Sequence, residues 1–229
     1  MTTPAKVGLF VPLVAKPPQT TTVKDFLISA LPLVEAEPET LQWFAIQYTS
    51  RLSVSPTSTS ESNSEPLTTH YLIFDTFAAD SGRQAHLNGK VAAALMGNRE
   101  ALLVEGDEGV AIKPVEVLQH KVGKLGEGKK LVCGLRVLMT ANKDKVEDVK
   151  QHLINVGTKL LDEANPPVWY GFWFPDTAQF GIIGLFTSEA EREERLAGQT
   201  AVAMRFNELG IFESPPEVIK VNVLASSTK

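Results

Sequence analysis

Four histidines and one cysteine limit the chemistry open to this sequence. None of His70, His86, His120 and His152 has a carboxylate or thiol partner at metal-ligand spacing, so the pattern indicates no metal site. Cys133 lies in an apolar, strand-like run and reads as core rather than nucleophile. Gly123-Lys-Leu-Gly-Glu-Gly-Lys has the letters of a phosphate loop. Lys130 stands where Ser or Thr is needed, however, and a strand follows where a helix must, so this is linker composition. What the residues can still support is acid–base work on an aromatic ligand. His86, with an unperturbed pKa near neutrality, is the candidate catalytic base. Trp43, Tyr71 and Phe77 can stack on a ring, and Asp75 or Arg83 can orient its polar substituents. In the competing reading His86 is a helix residue at the flank of the Arg83, Leu87, Val91 stripe and the aromatics are core.

The elements that must carry these residues follow from periodicity. Residues 7–15 are apolar and strand-like, with Pro12 suggesting an edge or a bulge. A helix is predicted over 23–36 from Val23, Phe26, Leu27, Ala30, Leu31 and Val34, kinked or shortened by Pro32 and stopped at Glu37-Pro38-Glu39. Strands follow at 40–49 and 69–77. A helix capped by Asp80 or Ser81 runs to about 96, and a strand covers 112–119. The same order then returns. Strands at 131–139, 168–174, 179–186 and 218–224 alternate with helices at 143–164 and 188–208, with Pro175-Asp176 as a tight turn. Between residues 50 and 68 the composition turns to Ser, Thr and Pro. This reads as a flexible polar insertion without means to build a core.

The second half repeats the first in residues as well as order. Segment 77–95 lies on 186–204 without a gap. Phe77/Phe186, Arg83/Arg192, Leu87/Leu196, Gly89/Gly198, Ala92/Ala201 and Ala94/Ala203 are identical, where roughly one identity is expected by chance. Trp43 falls on Trp169, and Val115-Glu-Val-Leu on Val221-Asn-Val-Leu. The predicted fold class is α+β: two ferredoxin-like β-α-β-β-α-β repeats with antiparallel sheets. The first repeat covers 1–122 (with the 50–68 insertion), a linker 123–129, and the second repeat 130–229. Along the strand at 168–174, Trp169, Gly171 and Trp173 point one way and Tyr170, Phe172 and Phe174 the other. None is charged, so both faces should be buried. The expected cover for each helix-free face is the other sheet, giving a fused dimeric α+β barrel.

Bulk composition narrows the partners. With 22 basic and 27 acidic residues the net charge is −5, which is no footprint for nucleic acid or for an anionic membrane surface. A lone cysteine forbids an internal disulfide and weakly favours a reducing compartment. The first residues lack the charge-then-apolar pattern of a signal peptide, so the expected location is cytoplasmic.

Glu37-Pro-Glu-Thr-Leu-Gln-Trp, followed by Phe74-Asp-Thr-Phe-Ala-Ala-Asp-Ser-Gly-Arg-Gln-Ala-His-Leu-Asn-Gly-Lys-Val, resembles the antibiotic-biosynthesis-monooxygenase-like group of the dimeric α+β barrel superfamily. The likeness is specific over 37–95 and topological in the second half. Single-repeat members form homodimers. The resemblance therefore implies an intramolecular pseudo-dimer and leaves further homodimerisation open. It implies a small aromatic ligand and, in some relatives, cofactor-free oxidation of a quinol or polycyclic phenol. Others degrade haem, and many have no established activity, so a non-catalytic, stress-related binding or scaffold barrel is the alternative. His86 occupies the place of a polar helix residue facing the cavity, and Trp43 and Asp75 fall on matched strand positions. Lys90 and Val91 stand where a second histidine is common. Phe10 and Val11 stand where haem-degrading relatives carry Asn, which weakens haem breakdown. Arg195 and Gly184 replace His86 and Asp75 in the second half, so the site is expected in the first half only, with no cofactor.

Overall fold

The computed structural model describes residues 3–54, 59–61, 67–175, 177–208 and 210–229, except the side chains of 53–54, 59–61 and 199–208. Much of the Ser/Thr-rich insertion and Asp176 of the expected turn lie outside the described residues. In chain order the first elements are β1 (Val7–Val14), α1 (Thr20–Ser29), α2 (Leu31–Glu35), β2 (Thr40–Val54) and β3 (Thr59–Glu61). Then come β4 (His70–Phe77), α3 (Asp80–Leu87), α4 (Lys90–Leu102), α5 (Gly106–Gly109) and β5 (Lys113–Val122). The remainder is β6 (Cys133–Thr140), α6 (Val146–Leu160), β7 (Val168–Trp173), β8 (Gln179–Phe186), α7 (Glu189–Glu208) and β9 (Glu217–Thr228). No described helix is long and apolar enough to cross a membrane.

The chain divides into two compact units. The first holds Met1–Tyr48, Leu67–Glu116 and Val223–Lys229, the second Thr49–Pro66 and Val117–Asn222. In the first unit the strands lie in the order β2-β4-β1-β5, antiparallel throughout. In the second the order is β7-β8-β6-β9, again antiparallel. The registers correspond residue by residue. Asp75 faces Leu9 and Trp43 across its ladders, and Gly184 faces Leu135 and Trp169 across its own. Gly8 pairs with Val115 and Gly134 with Val221. At both glycines a Cβ would meet a backbone carbonyl at 2.5 Å, Asp75 O in one unit and Gly184 O in the other.

Helices cover one face of each sheet. In the first unit Leu9, Val11, Leu13, Trp43, Ala45, Tyr71 and Ile73 pack with Val23, Leu27, Val34, Val91 and Leu95 of the helices. In the second, Leu135, Val137, Met139, Phe180 and Phe186 pack with Val149, Leu153 and Leu196. The alternate residues on the opposite faces are equally dry. Phe10, Phe44, Ile46, Leu72 and Phe74 are at most 2% exposed, and Tyr170, Phe172, Ile183 and Leu185 are wholly buried. The expectation that neither face is wetted holds within each unit.

Several boundaries differ from the sequence expectations, each for a local reason. β2 runs on to Val54 rather than ending at 49. Thr49 Oγ1 donates to Lys220 O (2.9 Å), Arg51 pairs with Glu217 (2.8 Å) and Leu52 is buried, so strand partners override the polar composition. The single helix expected over 23–36 is α1 and α2, broken at Ala30. Pro32 sits in the first turn of α2, where its missing N–H is one of the donors a helix start leaves unpaired anyway. The helix expected from 80 to 96 is α3 and α4, separated by Asn88 and an extended Gly89. Neither Asp80 nor Ser81 caps it. Ala79 occupies that position, and Asp80 opens α3 paired to Arg83. Pro12 is not on an edge strand, because β1 lies between β4 and β5. The β5 ladder stops at Phe10, so the donor that proline lacks is not required there.

Phe44→Ala empties a fully buried site on the helix-free face and is expected to lower the unfolding free energy by about 3–5 kcal/mol in chemical denaturation. A loss below about 1 kcal/mol would mean that this face meets water.

Candidate functional site

α3 is a two-turn helix that starts directly after β4, and its last turn aims His86 at the sheet. The imidazole is 6% exposed and lies 5.5 Å from the Phe77 ring, tilted by 48°. It sits between two carboxylates. Nδ1 is 2.6 Å from Glu37 Oε2, and Nε2 is 3.2 Å from Asp75 Oδ2. Thr40 Oγ1 donates to the same Glu37 oxygen at 2.8 Å. Glu37 leaves the end of α2, where its N–H bonds to Val34 O. The C-terminal Lys229 ammonium donates to the Val34 and Glu37 carbonyls, which ties down this α2–β2 turn. Gly89 lies against the same carboxylate: a Cβ there would come within 2.7 Å of Glu37 Oε1.

Asp75 is fully buried in the middle of β4. Its approach to His86 has the distance of an ion pair without good hydrogen-bond alignment, and among the described residues neither carboxylate oxygen has a well-aligned donor. Glu37 Oε1 and Trp43 Nε1 are also buried without a partner among those residues. Trp43 is the residue directly opposite Asp75 on β2. A buried donor and buried acceptors left open on facing residues are uncommon in a folded core and call for an occupant.

Burial favours the neutral imidazole, yet the hydrogen bonds and charges of Asp75 and Glu37 outweigh it and raise the His86 pKa from 6.5 to about 9. Burial also raises the Asp75 pKa above the usual carboxylate range, and the neighbouring His86 offsets this only in part. At neutral pH His86 is therefore a cation with both ring nitrogens engaged. The base role expected from the sequence would require pH above about 9.

Of the other expected site residues, Trp43 and Phe77 join this cluster and Tyr71 and Arg83 do not. Tyr71 is four residues from Asp75 along β4, about 13 Å away. Its hydroxyl donates to Thr20 O (2.7 Å) and accepts from Gln47 Nε2 (3.3 Å), fastening α1 to the sheet. Arg83 is held by Asp80 through Nε at 2.9 Å. Glu37 and Thr40 were not expected. The sequence marks Glu37 only as a helix stop, and its 49-residue separation from His86 carries no periodic signal. Among the described residues no group of three or more His, Cys, Asp or Glu side chains is arranged to hold a metal ion. Glu37 and Asp75 take opposite ring nitrogens instead of converging.

No family model matches the chain, and no curated protein matches it in sequence. Solved structures do. One named a putative monooxygenase, from Fusobacterium nucleatum, superposes with a TM-score of 0.77 at 9% identity, covering 98% of this chain and 95% of its own. Another so named, from Lactobacillus acidophilus, gives 0.72 at 8% identity over 98% and 97%. An anthrone oxidase-like protein gives 0.60 at 8% identity over 98% and 93%. The chain shares the α+β fold of these proteins. A Nitrosomonas europaea protein of unknown function is 40% identical over 54% of this chain and 97% of its own, with a TM-score of 0.41.

The charge arrangement has a definite pH dependence. His86 has a folded pKa above its ordinary 6.5, so its stabilisation is complete below about pH 6.5 and is lost as pH rises through about 9. The raised Asp75 pKa acts in the same direction, because ionising it costs more in the fold than in the unfolded chain. Urea denaturation is expected to show stability falling between pH 6.5 and 9.5, by up to about 3 kcal/mol. His86→Gln should flatten that decline; equal declines in parent and variant would contradict the assignment.

Proposed function

We propose that this is a monooxygenase-like small-molecule protein. In this reading the first unit oxidises an electron-rich aromatic quinol, phenol or anthrone-type substrate with dioxygen and without a cofactor. The observation that carries it is the open donor and acceptor on facing residues, Trp43 Nε1 and the Asp75 carboxylate. A phenolic or enolic hydroxyl complements both: it donates to Asp75 and accepts from the indole N–H. The fold shared with proteins named as monooxygenases and as anthrone oxidase-like supports the same class.

Asp75, rather than His86, is the proton acceptor in this reading. Burial lifts its pKa above the usual carboxylate range, which makes it a stronger base than an exposed carboxylate. Once deprotonated, the substrate anion passes one electron to dioxygen, and the resulting carbon radical and superoxide combine at carbon. Protonation gives a hydroperoxide, which then loses water, so that a methylene between two rings becomes a carbonyl. One atom of dioxygen ends in the ketone. The other leaves as water with the two hydrogens of the methylene, so no outside reductant is needed. The His86 cation holds both carboxylates and offsets the negative charge that develops beside them. Phe77 walls the site. Tyr71 and Arg83 serve the scaffold and do not touch substrate. We also take the two units as ferredoxin-like halves of a duplicated chain that closes on itself as a pseudo-dimer. The matching registers and the two dry helix-free faces support this.

Burial of the whole Glu37–His86–Asp75 group also favours a second reading, a non-catalytic binding or scaffold protein in which the group only holds α3 to the sheet. Oxygen uptake with a panel of anthrones and hydroquinones separates the two. The parent is expected to consume dioxygen, Asp75→Asn to lose at least about a hundredfold in rate, and Tyr71→Phe to stay close to the parent. No uptake across the panel, or an Asp75→Asn variant as active as the parent, would leave the non-catalytic reading in its place.

A further inference from the structure

The second unit has a cavity at the position that the His86 group fills in the first. Trp169 faces Gly184 across the β7–β8 ladder as Trp43 faces Asp75, and Leu135 faces Gly184 as Leu9 faces Asp75. Arg195 follows Phe186 at the interval by which His86 follows Phe77. The counterpart of the carboxylate is therefore a hydrogen atom, and the counterpart of the imidazolium is a guanidinium. Where the first unit packs a carboxylate against a cation, the second leaves about 250 Å³, counted with its opening to solvent. Leu135, Val137, Trp169, Ile182 and Phe186 line it, with Gly184 at its floor and Arg195 at its edge. Its enclosed part has room for about one water molecule, so an occupant must be small or must move Arg195 aside. The space at Gly184 is real: a Cβ there would meet nothing nearer than 3.8 Å.

Arg195 is partly buried, and its Nη1 pairs with Glu163 Oε2 at 3.1 Å. Glu163 lies in the turn after α6 and is exposed, so this pairing is weak and exchangeable. A guanidinium offers a planar fork of donors matched to a carboxylate. The apolar walls suit a short hydrocarbon tail and give no partner to a second polar group.

We propose that this cavity binds a small monocarboxylate, its tail among the apolar residues and its carboxylate on Arg195 in place of Glu163. The ligand supplies the anion that Asp75 supplies within the first unit. The site is a binding site and is independent of the oxidation proposed for the first unit.

The test titrates the full chain with 4,4,4-trifluorobutyrate, followed by fluorine NMR of the ligand. Saturable binding is expected, with 4,4,4-trifluorobutan-1-ol at least tenfold weaker because it lacks the charge. Arg195→Leu should weaken binding at least tenfold. Gly184→Asp, which builds the missing carboxylate into the chain, should abolish it. Glu163→Gln changes only an exposed side chain and should tighten binding several-fold by releasing Arg195. The proposal is overturned if no saturable signal appears up to tens of millimolar, or if acid and alcohol bind alike. It is equally overturned if Glu163→Gln binds no better than the parent, a result that does not depend on whether the core variants fold.

Discussion

A carboxylate in the middle of a dry strand cannot stay charged without a partner. Asp75 is buried on all sides, flanked by Leu9 and Trp43 on the neighbouring strands. Several kcal/mol of desolvation must be offset for such an ion, by a counter-charge or by keeping the proton. The first unit answers with one imidazole and a second carboxylate. That answer fixes geometry well beyond the cluster. α3 must end where His86 reaches Asp75, α2 must end where Glu37 reaches the other ring nitrogen, and α4 must begin with a residue that has no Cβ to strike Glu37.

Comparison of the two units shows what the charged group does to packing. The same cross-strand positions hold Asp75 with Trp43 and Gly184 with Trp169. With the carboxylate present, a cation and a second anion crowd in and the space is filled by charge. Without it, a guanidinium turns to an exposed glutamate and a cavity opens behind it. One substitution at one register position thus separates a site suited to moving a proton from one suited to holding an anion.

Both sheet faces in each unit are dry, and this limits where ligands can act. On the helix-free faces the alternation of Phe10, Phe44, Ile46, Leu72 and Phe74 leaves no charged group among them to do chemistry. Polar function is confined to the helix side, at the junction where a strand turns into a helix. Such a junction brings the end of one helix and the start of another within reach of a mid-strand side chain. His86 and Arg195 both lie on the helix that follows it.

The order of elements, the correspondence between the halves and the dryness of the strands were legible in the sequence, because they rest on periodicity and composition over many residues. The aromatic run at β7 and the identities between 77–95 and 186–204 are signals of that kind. Breaks within elements were less legible. Pro32 marked one, while Gly89 and the continuation of β2 through Arg51 and Leu52 depend on contacts with distant residues. His86, Asp75, Trp43 and Phe77 could be chosen as residue types. Their protonation state could not, because a histidine's charge depends on which groups surround it in space. Tertiary structure alone brought Glu37 to His86 and engaged the Tyr71 hydroxyl and Arg83 elsewhere. The sequence by itself determined which side chains face the same way along a strand, since that follows from a two-residue repeat. Only the folded chain decided which charges meet, since Coulomb and hydrogen-bond energies depend on distances of a few ångströms between residues far apart in the chain.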